Sequence, residues 1–245
     1  MFTKYILNKQ YDFDQLIKSV QFENVTNGRD GANIVDIKND SIPIVRTVSR
    51  YHNPNQKFKQ IHHDIIDDIK NVTNKDELQF NNGLVELYST KYKTMGFHSD
   101  HTLDLDHDSY ICAFSYYSDP QTQSLRKLVI KDKLTGETFN HVMDHNSIIL
   151  FSVDVNLKYQ HKIVLDGPDS NALWFGITFR QSKTFITFIN EIPYFVSNKK
   201  QLTLANDEQK KEFYKCRGTE NSIIDYAYPE FDFTLSDGDI AKIDF

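Results

Sequence analysis

Gly83 to Asp100 reads GLVELYSTKYKTMGFHSD: an apolar and aromatic run, a polar turn, and then a His-x-Asp pair. The run predicts a strand over Gly83–Tyr88, and the turn after it carries His98 and Asp100 past the strand end. A turn there lets side chains i and i+2 converge, which is the geometry a two-ligand chelate needs. The pair alone says little, because nine His and 25 Asp in 245 residues give about one His-x-Asp by chance in any fold. A second pair, His62-His63-Asp64, falls in a predicted helix. Side chains two residues apart on a helix point roughly 200° apart, so this pair reads as a polar helix face.

Downstream of His98 the texture is β. Candidate strands are Ser109–Tyr117, Lys127–Lys131, Thr138–Met143, Ser147–Val153, Lys162–Leu165 and Leu173–Phe179, separated by Asp/Asn/Gly/Ser/Pro turns. Such a meander predicts a sandwich, jelly roll or barrel rather than a parallel sheet. Upstream, Phe13–Val20 has helical spacing, Ile42–Val48 reads as a strand and Tyr51–Gln56 as a solvated loop. Lys59–Ile69 is an amphipathic helix with Ile61, Ile65 and Ile69 on one face. After Arg180 come an apolar stretch, Thr184–Val196, a short helix over Asp207–Tyr214, and an acidic aromatic segment, Tyr226–Asp239, read as a packed or partner-facing extension. The expected organisation is an N-terminal supporting and lid-like segment over 1–75, a β core over 76–197 and an acidic C-terminal extension over 198–245.

Composition narrows the function classes. Aromatics at 13%, with 9 Gly and 6 Pro, exclude a disordered or collagen-like chain. The net charge of −6 is not that of a protein built to coat nucleic acid, although it leaves room for a local basic groove. Lys outnumbers Arg 22 to 6, and the excess of Lys, Asn and Ile is the mark of an AT-rich source genome. Each remaining arginine (Arg29, Arg46, Arg50, Arg126, Arg180, Arg217) therefore merits inspection. Two distant cysteines, Cys112 and Cys216, make neither a disulfide framework nor a Cys-rich zinc site. The N-terminal stretch has no apolar run of signal-peptide length, and no segment reaches the roughly 18 apolar residues of a membrane span. The expectation is a soluble intracellular protein, cytoplasmic or nuclear, with no membrane partner. Phosphate-cradling, dinucleotide and nucleophile-elbow motifs are missing. Asp104-Leu-Asp106-His-Asp108 begins like a calcium loop, but it has Ser109 at the turn-glycine position and Ser115 at the bidentate-glutamate position. It reads as a solvated acidic loop.

What remains is histidine chemistry. Two His and one carboxylate on one face of an octahedron leave the opposite face open, the arrangement of non-haem Fe(II) oxygenases. His141, His145 and His161 compete for the third position. Order favours His161: His-x-Asp, two or three strands, His161 at a strand start, then a strand ending Gly176-Ile-Thr-Phe-Arg180. This is the layout of a mainly β (α+β) protein, a double-stranded β-helix or jelly roll with supporting N-terminal helices.

At these residues the chain resembles a known family. From Leu84 to Lys183 it is similar to the AlkB family of Fe(II)/2-oxoglutarate dioxygenases. LVELYSTKYKTMGFHSD matches the family's cosubstrate-binding Tyr and His-x-Asp, HNSIILFS its turn and strand before the distal His, and GITFRQS its closing motif. PIVRTVSRYHNPNQKF resembles its substrate-covering lid more weakly, so the likeness spans 43–185 at most. It implies that His98, Asp100 and His161 are the catalytic iron ligands. It implies that Arg180 binds a carboxylate of 2-oxoglutarate, that Tyr88 donates a hydrogen bond to it, and that Thr178 joins the cosubstrate-binding set. The cosubstrates would be 2-oxoglutarate and O2, with succinate and CO2 as products. Arginine suits the dianionic cosubstrate because its charge is permanent and its fork matches a carboxylate.

The departures are specific. Glu86 replaces the Asn two residues before the cosubstrate Tyr, and Trp174 and Gly176 stand where an Arg and an Asn are expected. One carboxylate-binding arginine is thus absent; either Arg126, Lys127 or Lys131 replaces it, or the cosubstrate is held differently. His101-Thr102-Leu103 follows the His-x-Asp where the family often carries base-reading acidic residues. A modified nucleic acid is the leading substrate class, and a protein side chain or small molecule the alternative. A cupin-like binding module without chemistry is the third reading. Oligomeric state is open.

Overall fold

Strands in which inward and outward residues alternate build the core, and the longer ones pair into two facing sheets. The computed structural model describes residues 1–243. In chain order it has β1 (Thr3–Ile6), α1 (Phe13–Ile17), β2 (Glu23–Thr26), β3 (Arg29–Val35), β4 (Ile42–Pro43), β5 (Gln56–Lys57) and α2 (Gln60–Thr73). Then come β6 (Asn82–Tyr88), β7 (Tyr110–Tyr117), β8 (Leu125–Asp132), β9 (Thr138–Met143), β10 (Ser147–Ser152), α3 (Val153–Lys158), β11 (Tyr159–Asp166) and β12 (Trp174–Arg180). The chain continues with β13 (Phe185–Ile189), β14 (Ile192–Phe195), β15 (Thr203–Leu204), α4 (Asp207–Ser222) and β16 (Phe233–Thr234).

The larger sheet runs β1-β10-β7-β12-β6-β3-β2, with β5 added in parallel to β3, and the smaller runs β11-β8-β9. Period-2 alternation gives each central strand two working faces. Cys112, Phe114 and Tyr116 of β7 and Phe175, Ile177 and Phe179 of β12 pack outward against Leu16, Ile65 and Ile69 of the N-terminal helices. Ile111, Tyr117 and Trp174 face inward and meet Leu128, Ile130, Met143 and Ile163 of the smaller sheet. The result is a mainly β jelly roll with helices covering one face. Local chemistry sets the helix ends: Asp12 caps α1 by accepting from Gln15 N at 2.7 Å. Asn206 and Gln209 form a capping box at the start of α4, where Asp207 and Glu208 also favour the helix dipole. Among the described residues no helix is long and apolar enough to cross a membrane.

Several local expectations need correction. The strand read over Ile42–Val48 is only Ile42–Pro43, because the chain is drawn away at Arg46. Both the Arg46 backbone N–H and its guanidinium bond to Asp104, at 2.7 to 3.3 Å. Asp104 is therefore fully buried rather than part of a solvated loop. Tyr51, also read as lying in a solvated loop, is 2% exposed. The N-terminal helix stops at Ile17, and Val153 leaves β10 to open α3, capped by Ser152 Oγ accepting from Val155 N. The C-terminal helix runs to Ser222 rather than Tyr214, and Phe213, Phe231, Phe233 and Leu235 pack behind it against Val48 and Leu103.

Asp239 sits in this packed segment, 5% exposed, accepting from Thr234 Oγ1 at 2.6 Å. Burial pushes its pKa up to about 6, and Asp104 adds to the shift. A folded-state pKa above the unfolded value means stability that is present below about pH 4 and lost as pH rises through about 6. Asp239→Asn should therefore stabilise the protein at neutral pH by about 2–3 kcal/mol. The gain should vanish in melts at pH 4; an equal effect at both pH values would show that ionisation is not involved.

Candidate metal centre

Beyond β6 the chain leaves the larger sheet and runs against β11, with bridges between Thr94 and Val164 and between His98 and His161. His98 N donates to His161 O at 3.0 Å, and His161 N donates back to His98 O at 2.6 Å. This reciprocal pair sets the two imidazoles side by side, centroids 4.7 Å apart. Asp100 is pinned from α3: Asn156 Oδ1 accepts Asp100 N at 2.7 Å and Asn156 Nδ2 donates to Asp100 O at 2.9 Å. The carboxylate then lies with Oδ1 at 3.5 Å from His161 Nε2 and 4.0 Å from His98 Nε2. Its Oδ2 accepts Arg180 Nε at 2.8 Å.

Ligand atoms of His98, Asp100 and His161 all lie within 4.8 Å of one another, the only such group among the described residues. His98 Nδ1 donates to Gly96 O at 3.0 Å, which fixes the tautomer and leaves the Nε2 lone pair facing the group. The His98 side chain is 31% exposed, and its partial enclosure together with the neighbouring His161 pushes the imidazole pKa below its ordinary value. Burial works against charge on Asp100, but Arg180 and His161 outweigh it and hold its carboxyl well below the usual range. Two imidazole nitrogens and one carboxylate, converging without other protein donors, form a donor set compatible with Fe(II).

The group borders a cavity of about 410 Å³ between the sheets, which Thr178 and Arg180 also line. The Nη atoms of Arg180 make no hydrogen bond among the described residues, so that edge of the fork is available. Tyr88 is fully buried and does not line the cavity; its hydroxyl lies beside the Glu86 carboxylate. His141 and His145 stay apart from the group: His145 accepts Tyr117 N, and His141 lies on β9 against Phe139. Trp174 lies over Gly176, where any Cβ would strike its ring, and donates to Ser115 Oγ at 2.9 Å. Of the residues considered as substitutes for an arginine there, Lys127 and Lys131 are ruled out by alternation, since Arg126, Leu128 and Ile130 take the inward face of β8. Lys127 instead pairs with Asp166. Arg126 points inward but is fully buried, 4.7 Å over the Tyr88 ring, and bonds to Ser89 O and Tyr92 O.

The residues that secure the loop from behind were not read from the sequence. Asn221 Oδ1 accepts Ser99 N at 3.0 Å, and Arg217 donates to Ser99 O. Glu220 Oε1 accepts Thr102 N at 2.8 Å and Thr102 Oγ1 at 2.7 Å. Glu220 Oε2 accepts Arg217 Nη1 and Tyr228 Oη, both at 2.6 Å. A wholly buried carboxylate is tolerated because four donors meet it. The signal was faint: with the helix ended at Tyr214, the Arg217/Glu220 pair at i, i+3 lay outside any element.

No protein-family model matches the sequence, and no curated protein matches it. Among solved structures the chain is similar to that of OsALKBH1, at 12% identity and a TM-score of 0.47, over 73% of this chain and 97% of the other.

If the α4 contacts hold the loop in register, Glu220→Gln should weaken Mn(II) binding about tenfold by calorimetry while the far-UV circular dichroism stays unchanged. An unchanged affinity would separate the helix from the metal group.

Proposed function

We propose that this chain is an Fe(II)/2-oxoglutarate-dependent oxygenase of the AlkB type. The observation that carries this reading is the convergence of His98, Asp100 and His161 on a cavity that Arg180 also lines. The resemblance of residues 84–183 to that family's motifs points the same way. Fe(II) bound with 2-oxoglutarate and O2 supplies an oxidant strong enough to hydroxylate a C–H bond, releasing succinate and CO2.

The chain's own residues then have distinct tasks. His98, Asp100 and His161 would hold the metal with two imidazole nitrogens and one carboxylate, a donor set that would leave room for cosubstrate and oxygen. Arg180 keeps Asp100 ionised through its Nε and offers its Nη edge to a carboxylate. Thr178, on the cavity wall one inward position before Arg180, offers a hydroxyl to the same ligand. Leu84, Ala113, Leu128, Phe151 and Ile163 line the cavity between its polar ends and keep bulk water from it.

For the substrate, the favoured class is a modified nucleic acid. Phe97 lines the cavity, and Lys131 and Lys162 stand 5.7 and 4.5 Å from its ring centroid, a base-stacking and phosphate-binding combination. A protein side chain or small molecule is the alternative.

Purified protein supplied with Fe(II) should convert 2-oxoglutarate to succinate slowly without substrate, and folded Asp100→Ala should fall to background. Succinate formation at the wild-type rate in that variant would remove the metal assignment. Methylated single-stranded oligonucleotides should accelerate turnover, less so as salt rises. Acceleration by peptides or small molecules alone would move the substrate to the alternative class.

A further inference from the structure

At the end of the cavity away from the metal group, charges and hydrogen bonds do not cancel. Trp174, Tyr88 and Arg29 lie opposite one another on β12, β6 and β3, and Gly176, Glu86 and Gly31 form the adjoining inward row. The first row lacks a guanidinium on β12, where the family-like pattern expects one, but carries one two strands away. Arg29 and Glu86 both line the cavity. Arg29 Nη2 lies 2.7 Å from Glu86 Oε1, while Arg29 Nε is buried without a hydrogen bond.

The neighbours are also unsatisfied. Gly31 has no side chain, which lets Tyr51 Oη come within 2.9 Å of where a Cβ would stand. Tyr51 Oη lies beside Arg29 and Tyr88 Oη beside Glu86, yet neither hydroxyl forms a hydrogen bond of proper geometry. Burial raises both phenols, so they remain neutral donors. Arg126, stacked on Tyr88, makes no ion pair among the described residues. Two guanidiniums thus face one carboxylate. Arg29 Nε, Arg126 Nε and the two hydroxyls, four donors, share that carboxylate, whose Oε1 also lacks a hydrogen bond of proper geometry. Buried polar groups are rarely left so, and a second carboxylate would complete both balances.

We infer that Arg29 holds the distal carboxylate of the 2-oxo acid whose other end lies at the metal group, making Arg29 the residue that selects a dicarboxylate. The inference rests on the function proposed above. Glu86 is the resting counter-ion: when the ligand takes the free edge of the Arg29 fork, Glu86 is held by the Tyr51 and Tyr88 hydroxyls. The anchor lies on β3, outside the segment that resembles the family, and Trp174 fills the space that an arginine on β12 would need.

The test compares two acids by calorimetry on Mn(II)-loaded protein: 2-oxoglutarate, and 2-oxobutanoate, which has the same metal-binding end and no distal carboxylate. Wild type should bind 2-oxoglutarate at least about tenfold more tightly. Arg29→Gln should bind both acids with the affinity that wild type shows for 2-oxobutanoate, and Arg29→Lys should keep part of the preference. Unchanged 2-oxobutanoate binding certifies that the variant is folded and metal-loaded. Equal affinity of wild type for the two acids would overturn the inference, whatever the variants do. So would a preference that survives Arg29→Gln, leaving the oxygenase reading intact. Binding of neither acid by wild type would remove that reading, and the inference with it.

Discussion

The segment between β6 and β7 carries two of the three candidate ligands, yet past His98 it belongs to no strand. Its amides and carbonyls must therefore find partners outside regular structure, because an unpaired buried backbone group costs as much as a lost hydrogen bond. Each partner found is also a positional constraint. The reciprocal bond with His161 fixes His98, Asn156 fixes both backbone groups of Asp100, and Asn221, Arg217 and Glu220 fix Ser99 and Thr102. Arg46 continues the series at Asp104. The geometry at the metal group follows from satisfying this backbone, and the ligands need no bond to one another to stay convergent.

The cavity has a different logic at each end. Near the metal group Arg180 and Asp100 neutralise one another, and the spare Nη edge of Arg180 faces inward. At the far end Trp174, Gly176 and Gly31 rearrange the volume: one large ring fills the β12 side, and a missing side chain on β3 admits the Tyr51 hydroxyl. A substitution that looks like loss in one strand is accompanied by a polar cluster in another. Only the register across β12, β6 and β3 makes the two comparable.

What was legible in the sequence was what is local or ordered. The strand alternation that makes the jelly roll is a period-2 signal, and β6, β7, β9 and β12 fall close to their expected positions. His98 and Asp100 stand out because a turn follows a strand; His161 stands out only through the order of strands around it. Arg29, Tyr51, Asn156, Arg217 and Glu220 carried no such signal. Arg29 lies on a strand that sheet pairing alone brings to the cavity, and Tyr51 was read as solvated because turn-forming residues surround it. The Asp104 loop was misread for a related reason: its acidic composition says nothing about Arg46, which lies 58 residues away in the chain.

The bonds that finish the ligand-bearing loop have a consequence for timing. Ser99 and Asn221 are separated by 122 residues, and Thr102 and Glu220 by 118. At roughly 5–20 residues per second, a ribosome completes α4 some 6–24 s after the His-x-Asp pair. Throughout that interval the nascent chain holds the ligand sequence without the helix that sets its shape. The loop that carries the candidate ligands is thus completed late in the life of the polypeptide, and α4 is the last of its supports to be assembled.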